Sequence, residues 1–277
     1  MRLAVLADVH GNLRALEAVL ADLARHAPDL VVNLGDCVSG PLAAADTADL
    51  MMGLAGPAFV TVRGNHDRQL LDCPAAEMGP SDRAADAQLT ARHRAWLAAL
   101  PAAATASDGA DAVLCCHGAP ASDLTYLLET VGPHGVALAR PAEVAARLGA
   151  TTQALVLCGH THVARAVALP DGRLVVNPGS VGLPAFDDAA PFPHVIEAGS
   201  PHARYAVLDV GGGGRLPSVP ARARVQFAAV AYDWDAAAAD ARRAGRPDWA
   251  WALATGYAAD AAPGPAPAHA ASRTAAA

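Results

Sequence analysis

Short apolar runs alternate with helical patterns along the first half of the chain. Residues 3–7 form a continuous apolar run, as expected of a strand that is buried on both faces. Apolar residues then recur from Leu13 to Leu23 at the i, i+3, i+4 spacing of an amphipathic helix. Strand-like runs follow at residues 30–34, 59–62, 112–116 and 154–158, and helical patterns at 43–52, 84–100, 122–129 and 141–148. This alternation predicts βαβ units with right-handed crossovers.

The pattern in the second half predicts how the chain is divided into parts. Residues 165–169 and 173–176 flank a Pro-Asp-Gly turn and predict a hairpin. We expect a closing strand at 204–210, an edge strand at 222–232, and helices at 235–244 and 248–253. We interpret residues 1–256 as one domain, with a helical excursion at 67–110, a flap-like loop at 185–201 that contains three prolines, and a C-terminal strand–helix extension at 215–256. Residues 257–277, rich in Ala and Pro, are expected to be disordered.

Polar residues of a few chemical types follow the predicted strands. Because the carboxyl ends of parallel strands meet at one edge of a sheet, loops in these positions converge on one crevice. Taken singly, each short motif is most often a turn or a helix cap. Their common position after a strand makes a metal site the better interpretation. The motifs are Asp8-Val9-His10, Gly35-Asp36, Gly64-Asn65-His66-Asp67, Cys116-His117-Gly118 and Gly159-His160-Thr161-His162.

Composition narrows the class of protein. The net charge is −7 and the chain contains no Lys, which argues against a non-specific nucleic-acid binder. The apolar fraction of 53% overstates the core, because much of it is alanine. Five cysteines form no zinc-type pair, so reduced core cysteines are the favoured interpretation over ligands or redox groups. We find no membrane-span pattern and no signal peptide, and we expect a cytoplasmic location.

Together the motifs resemble the signature of the calcineurin-like metallophosphoesterases. All five blocks are present in the family's order, with Gly35-Asp36-Cys37-Val38-Ser39-Gly40 as the second block. Two further stretches, His117-Gly118-Ala119-Pro120 and residues 177–182, resemble the small bacterial branch that includes YfcE-like and diadenosine-tetraphosphatase-like proteins. The resemblance covers residues 1–210. It implies an α/β fold, a four-layer α/β/β/α sandwich with a dinuclear metal centre.

The resemblance also implies a role for each motif residue. His66 would be the catalytic histidine, and Asp67 is expected to orient it. Mn²⁺ is favoured for the two divalent ions, with Fe, Co²⁺, Ni²⁺ or Zn²⁺ as alternatives, because imidazole and carboxylate together do not select one metal. One ion would be held by Asp8, His10, Asp36 and His162, and the second by Asp36, Asn65, His117 and His160.

Other polar residues are open to more than one interpretation. Asn12 and Arg63 flank the metal loops, so that a contact with substrate and a structural role are equally good interpretations. Tyr126 and Arg165 are weaker candidates for the same role. For the remaining histidines we expect surface or packing roles; these are His26, His93, His134, His194, His202 and His269.

The function implied by the resemblance is hydrolysis of a small phosphodiester, phosphomonoester or nucleotide-type substrate by a hydroxide bound to the metal centre. A dinucleoside-polyphosphate hydrolase is the most specific variant. The alternative from another class is a non-catalytic interaction scaffold of the same fold, against which the intact His66 and ligand set count. A third interpretation, an exonuclease on polymeric DNA, is disfavoured by the acidic charge and the absence of Lys. We expect a small-molecule substrate, with neither polymeric nucleic acid nor membrane as a partner.

Overall fold

The computed structural model describes residues 1–106, 112–211 and 223–259. Fourteen strands lie in this part of the chain. They are β1 Arg2–Leu6, β2 Leu30–Asn33, β3 Phe59–Thr61, β4 Ala103–Ala106, β5 Val113–Cys116, β6 Glu129–Gly132, β7 Gly135–Leu138, β8 Leu155–Leu157, β9 Arg165–Ala168, β10 Leu174–Asn177, β11 Ala185–Asp188, β12 His194–Glu197, β13 Ala203–Val210 and β14 Ala223–Val230.

Ten of these strands form two five-stranded sheets. The first sheet has the order β14-β13-β1-β2-β3, in which β1, β2 and β3 are parallel and β13 pairs antiparallel with both β1 and β14. The second has the order β4-β5-β8-β10-β9, in which β5, β8 and β10 are parallel. The remaining strands form two hairpins, β6-β7 and β11-β12. The predicted edge strand is confirmed as β14, which lies at the edge of the first sheet.

Eight α-helices accompany the sheets in the described part of the chain. The predicted helix at 84–100 is two helices, because the turn at residues 87–90 interrupts it before Thr90 caps the second one. The helix expected at 122–129 is absent, and this segment forms turns that lead into β6. The helices are α1 Leu13–Leu23, α2 Ala44–Leu54, α3 Asn65–Asp72, α4 Pro80–Asp86, α5 Ala91–Ala99, α6 Pro141–Leu148, α7 Trp234–Arg243 and α8 Pro247–Thr255.

Alternation along the strands divides the core between the layers. In β1, Leu3 and Val5 belong to the cluster between the two sheets, whereas Ala4 and Leu6 pack with the helices outside the first sheet. Because successive side chains of a strand point to opposite faces, a strand apolar at every position is buried on both sides. The outer face of the second sheet packs against α6. The predicted four-layer α/β/β/α sandwich is therefore confirmed.

Residues 185–201 differ from the expected flap-like loop. They contain the β11-β12 hairpin, in which Phe186 pairs with Ile196 and Asp188 with His194. The prolines that suggested a loop are compatible with this hairpin, because Pro191 and Pro193 fall in the connection between its strands, where no ladder hydrogen bond is needed. The segment is thus an ordered element.

The chain after residue 211 continues with strand and helix. After the gap at 212–222, β14 is followed by α7 and α8, which pack together with Leu183 and Ala185. The expected disordered tail falls, from residue 260 onward, outside the described residues. The single domain ending at residue 256 stays a prediction. No helix in the described part is both long and apolar enough to span a membrane.

Candidate metal centre

The strand exits of both sheets deliver the predicted ligands to one place. Asp8 and His10 follow β1, and Asp36 follows β2. His117 follows β5, and the pair His160 and His162 follows β8 in the second sheet. The Gly64–Asp67 motif, expected on a loop, instead opens α3, with Gly64 as its N-cap.

One group of three ligands combines residues from both sheets. Asp8, His10 and His162 offer ligand atoms that all lie within 4.8 Å of one another. The Nε2 atoms of His10 and His162 are 3.2 Å apart, and Nε2 of His162 is 3.4 Å from Oδ1 of Asp8. All three residues are buried.

A second group lies beside the first. Asp36, His117 and His160 offer ligand atoms within the same 4.8 Å limit. Nε2 of His117 is 2.9 Å from the side-chain oxygen of Asn65, which adds the fourth predicted ligand of this group. The Asp36 carboxylate reaches both groups, because its Oδ2 is 3.2 Å from Nε2 of His117 and 3.9 Å from Nε2 of His10.

Hydrogen bonds to the backbone determine which ring nitrogen each histidine turns to the centre. Nδ1 of His10 bonds the Ser39 carbonyl at 3.0 Å, and Nδ1 of His162 bonds the Leu183 carbonyl at 2.6 Å. Because a carbonyl oxygen only accepts, each Nδ1 carries a proton, and each ring turns Nε2 inward, where it offers a lone pair when the second proton is absent. Two such lone pairs 3.2 Å apart repel each other unless a cation lies between them. The donor set therefore fits a divalent metal ion.

Burial and neighbouring charges shift the pKa of the predicted ligand histidines in two opposite directions. Burial, and then the neighbouring histidine charges, lower the pKa of His10 to about 4 and that of His160 to about 3, which keeps both neutral at pH 7. Burial opposes the charge of His117 as well, but the carboxylates of Asp36 and Asp8 outweigh it and raise its pKa to about 10. The second group thus attracts positive charge strongly.

The backbone of the centre is held in a conformation that non-glycine residues rarely adopt. Six such residues in the described part of the chain have a positive φ, and five of them are predicted metal ligands. This conformation costs on the order of 1–3 kcal/mol per residue and persists only where the surroundings over-determine it. The five are Asp8, His10, Asp36, His160 and His162.

The loop at residues 177–182 makes hydrogen bonds to the backbone of the first ligand motif. Val181 N and Gly182 N donate to the carbonyls of Ala7 and Asp8, and the Ser180 hydroxyl donates to the Asp8 carbonyl at 2.8 Å. A Cβ on Gly182 would lie 1.7 Å from the Val9 carbonyl oxygen, so only glycine fits this approach. The loop thus fixes the backbone of the first ligand motif.

His66 is held by a residue that the sequence did not indicate. Its Nδ1 bonds Oδ1 of Asp82 on α4 at 2.8 Å, and the same oxygen accepts the Ser39 hydroxyl at 2.6 Å. Burial lowers the pKa of His66, but the Asp36 charge and the Asp82 hydrogen bond outweigh it and raise the pKa to about 9. Asp82 has no fixed spacing from any of the motifs, and only its place near the start of a proline-initiated helix marks it in the sequence.

The prediction that Asp67 orients His66 is wrong. Asp67 is fully buried, and its two carboxylate oxygens accept from Cys37 N at 2.9 Å and Gly64 N at 3.0 Å. It therefore ties the loop after β2 to the start of α3. Its role is to keep the two ligand loops together.

Neither Asn12 nor Arg63 lines the cavity above the centre. The Asn12 amide is used within the fold, because its oxygen accepts from Ala15 N at the start of α1 and its nitrogen donates to the Gly182 carbonyl and the Tyr232 hydroxyl. The structural interpretation of Asn12 is therefore the better one. Arg165 instead lies 3.1 Å from Glu129 and is not part of the cavity wall.

A cavity of about 580 Å³ opens above the two ligand groups. Its volume is within the range of small-molecule sites. Three aromatic side chains in its wall pack edge-on against predicted ligands. They are Tyr126 against His160, Phe186 against His162, and Trp249 against His10, with ring centroids 4.9, 4.7 and 6.0 Å apart.

The C-terminal helix α8 provides one side of this cavity. Trp249 is buried, and a Cβ on Gly40 would lie 2.7 Å from its ring, so the last glycine of the second motif leaves room for it. Arg246 pairs with Asp248 and donates to the Ser81 hydroxyl at 2.9 Å. The sequence pattern predicts a helix here but indicates no link between it and the site.

A family model for the calcineurin-like phosphoesterase superfamily domain matches residues 1–196. The chain belongs to this superfamily. As a calcineurin-like phosphoesterase it is similar to a metallophosphoesterase from Sphaerobacter thermophilus, with 28% identity over 92% of this chain and 99% of that one, at a TM-score of 0.65. A comparison with curated protein sequences finds no match.

Two further solved structures extend the likeness. A hypothetical protein from Pyrococcus horikoshii OT3 is 18% identical over 93% of this chain and 99% of that one, with a TM-score of 0.68, and shares the fold. YfcE, a phosphoesterase from E. coli, is 21% identical over 83% of this chain and all of that one, with a TM-score of 0.42. Membership of the superfamily supports hydrolase activity on phosphate esters, and calcineurin-like phosphoesterases use divalent metals.

Proposed function

We propose that this calcineurin-like phosphoesterase hydrolyses small phosphate esters at a centre that holds two divalent ions. The observation that carries the proposal is the position of Asp36, whose carboxylate reaches ligands of both groups. A carboxylate placed between two imidazole-rich groups is suited to bridge two metals. The first ion would be held by Asp8, His10 and His162 with Asp36, and the second by Asp36, Asn65, His117 and His160.

The ions supply the activating chemistry when bound, since paired divalent metals lower the pKa of a coordinated water to about 7 and stabilise both the attacking and the leaving oxygen. The chain provides the charge balance around them. Of the seven ligands, only Asp8 and Asp36 are anionic, so two divalent ions leave about two positive charges for a phosphate. Mn²⁺ is our first choice of ion on the family resemblance, since this mixed nitrogen and oxygen set does not itself select one metal.

His66 is positioned to act on the leaving group. It lines the cavity next to Asn65, and with Nδ1 held by Asp82 its Nε2 is the ring nitrogen that remains to meet substrate. A proton carried there would stabilise charge on the leaving oxygen and then transfer to it. Ser39 fixes Asp82 from the other side and so limits rotation of the pair.

The substrate that we propose is a small ester, not a polymeric nucleic acid. The net charge of −7 opposes a polyanion, and the cavity is bounded by the β11-β12 hairpin and α8. The interaction-scaffold alternative is weaker, because a scaffold has no use for a His66 side chain that faces the cavity and is held by the buried Asp82 beside a complete ligand set.

The experiment is hydrolysis of bis-p-nitrophenyl phosphate by protein loaded with Mn²⁺, measured beside EDTA-treated protein and His66→Ala. We expect about two ions per chain by elemental analysis, turnover that EDTA abolishes and Mn²⁺ restores, and a His66→Ala variant that binds metal normally but is on the order of 10²–10⁴-fold slower. Normal metal binding with no turnover of any phosphate ester would overturn the enzymatic proposal in favour of the scaffold.

A further inference from the structure

The residues that line the wall of the cavity indicate which substrate fits the site, which the metal centre alone does not. The floor consists of metal ligands, but the entrance is lined by Leu124, Tyr126, Phe186 and Pro191, which are apolar or aromatic. Leu124 lies in the turns before β6 and is 55% exposed. An exposed apolar side chain at the mouth of a site is suited to a ligand that covers it.

The charged residues of the wall are acidic. Asp187 and Asp188 on β11 line the same cavity and are exposed, and in the described part of the chain neither forms a salt bridge, although Asp188 lies opposite His194 in the β11-β12 ladder. Arg246 is the one Arg among the described lining residues, and its charge is neutralised by Asp248. Apart from His66, assigned above to the leaving oxygen, the described lining therefore offers no Arg that is free to pair with a second anionic group.

Floor and wall thus have opposite electrostatic preferences. With metal ions bound, the floor would attract one phosphate, whereas the two rim carboxylates, which form no salt bridge in the described part of the chain, would repel any further negative charge.

We propose that the substrate is a phosphodiester with one phosphate, whose spectator group is apolar or aromatic and carries no negative charge, with Leu124 and Phe186 as the apolar contacts and Asp187 and Asp188 as the selecting charges. This inference rests on the proposed phosphoesterase function and makes it narrower. It disfavours the dinucleoside polyphosphates suggested by resemblance, because their additional phosphates would meet the acidic rim.

The hairpin is built to hold these residues in place over the floor. The Tyr126 hydroxyl donates to Nε2 of His194 on β12 at 3.1 Å, and Nδ1 of the same ring donates to the Phe192 carbonyl. Phe186 is paired in register with Ile196, which is buried. The selecting residues therefore stand on a hairpin that is anchored to the loop on the opposite wall.

Three diesters that share the p-nitrophenolate leaving group test the proposal. Their spectator groups are methyl, phenyl and 4-carboxyphenyl, so the phosphate and the bond that breaks are the same in each. Every variant is compared with the unaltered chain as a ratio of kcat/KM values, which cancels the intrinsic reactivity of each ester. We expect the unaltered chain to prefer phenyl over 4-carboxyphenyl by roughly fivefold to tenfold at low salt, and less in 0.5 M NaCl.

The variants assign each preference to its residues. Asp187→Asn/Asp188→Asn should bring the phenyl to 4-carboxyphenyl ratio to within about twofold, whereas Glu77→Gln, an exposed carboxylate outside the cavity, should leave the ratio unchanged. Leu124→Ala should lower the phenyl to methyl ratio about threefold, and Leu124→Ala/Phe186→Ala about tenfold. The dissociation constant of phenylphosphonate, relative to that of methylphosphonate, should rise in Leu124→Ala and rise further in Leu124→Ala/Phe186→Ala. Calorimetry measures both constants.

The experiment distinguishes failure of the proposed function from failure of the inference about substrate. If the methyl ester shows no metal-dependent hydrolysis, the proposed function itself has failed. If the methyl ester is turned over but the 4-carboxyphenyl ester is hydrolysed as fast as the phenyl ester, or if Asp187→Asn/Asp188→Asn leaves their ratio unchanged, the inference about substrate is overturned while the phosphoesterase function stands.

Discussion

The floor and the wall of the cavity are constructed in different ways. The floor is made of strand-exit loops from both sheets, and its ligand residues are almost all buried and tied to the backbone through their second polar atoms. The wall is made of the β11-β12 hairpin, the loop around Tyr126 and helix α8, which come from three separate parts of the chain. Several of its residues are exposed.

This difference separates chemistry from selection. A metal ligand must be placed accurately, so the floor accepts strained backbone at five ligand positions to obtain its geometry. A wall residue that contacts the spectator group needs only a polarity that matches this group and a suitable distance from the floor. Loops and hairpins over a rigid site can therefore vary while the reaction stays the same.

The largest expected effect is at Asp36, the floor carboxylate that we propose as the bridge between two ions. Asp36→Ala removes a ligand shared by both groups and leaves buried imidazoles facing one another, so we expect metal content to fall from about two ions to one or fewer. Hydrolysis of bis-p-nitrophenyl phosphate should fall by more than about 10³-fold. Asp187→Ala, a carboxylate of the wall, serves as the matched change and should keep its full metal content by elemental analysis. Equal metal loss in both variants would show that the floor carboxylate is no more important for metal binding than the wall carboxylate.

The next effect concerns the partner of His66. Asp82→Asn keeps the size of the side chain but loses the charge that holds the imidazole, and we expect a loss in kcat of roughly 10- to 100-fold with unchanged metal content. The loss should be greater for an alkyl leaving group than for p-nitrophenolate, since only the poorer leaving group depends on protonation. An equal loss for both leaving groups would mean that Asp82 is merely structural.

A smaller effect is expected on the free energy of unfolding. Gly182→Ala places a Cβ against the Val9 carbonyl oxygen and should destabilise the fold by about 1–3 kcal/mol. Gly53→Ala is the comparison, because no atom lies within 4 Å of the added Cβ and alanine is favoured inside α2. Urea unfolding of the two variants measures the difference, and similar midpoints would show that the loop at 177–182 does not constrain the floor.

The smallest effect belongs to the anchor of the hairpin. Tyr126→Phe removes one hydrogen bond to His194, worth about 1 kcal/mol, and keeps the ring beside His160. We expect KM for bis-p-nitrophenyl phosphate to rise a few-fold while kcat and metal content stay the same. A fall in kcat larger than the rise in KM would mean that Tyr126 contributes to the reaction itself, as the floor residues do.

Much of the floor was predictable because its residues come in short contiguous motifs. Asp8 and His10, or His160 and His162, lie close in sequence, and the rule that parallel strands end at one edge of the sheet brings separate motifs together. Asp82 was missed since its contact with His66 depends on how α4 packs, and no spacing encodes that. Asp67 was misassigned for the related reason that sequence neighbours on a helix do not face each other.

The wall was not predictable from the sequence for a different reason. Trp249 reaches His10 across 239 positions of the chain, and the space that admits it depends on the absence of a side chain at Gly40. The prolines of residues 185–201 predict a loop, but Pro191 and Pro193 lie in the connection of the β11-β12 hairpin, where they do not interrupt its ladder. The Trp249 contact depends on tertiary packing that local pattern does not contain.

The pairing of β1 with β13 has a consequence for synthesis on the ribosome. Asp8 emerges early, but the strand that covers the other edge of β1 comes about 200 residues later, and Trp249 later still. At roughly 5–20 residues per second, some 12 to 48 s separate the first ligand from the helix that encloses it. During that interval the nascent chain exposes the unpaired edge of β1, so we expect chaperones that shield strand edges to raise the yield of this protein more than extra metal does.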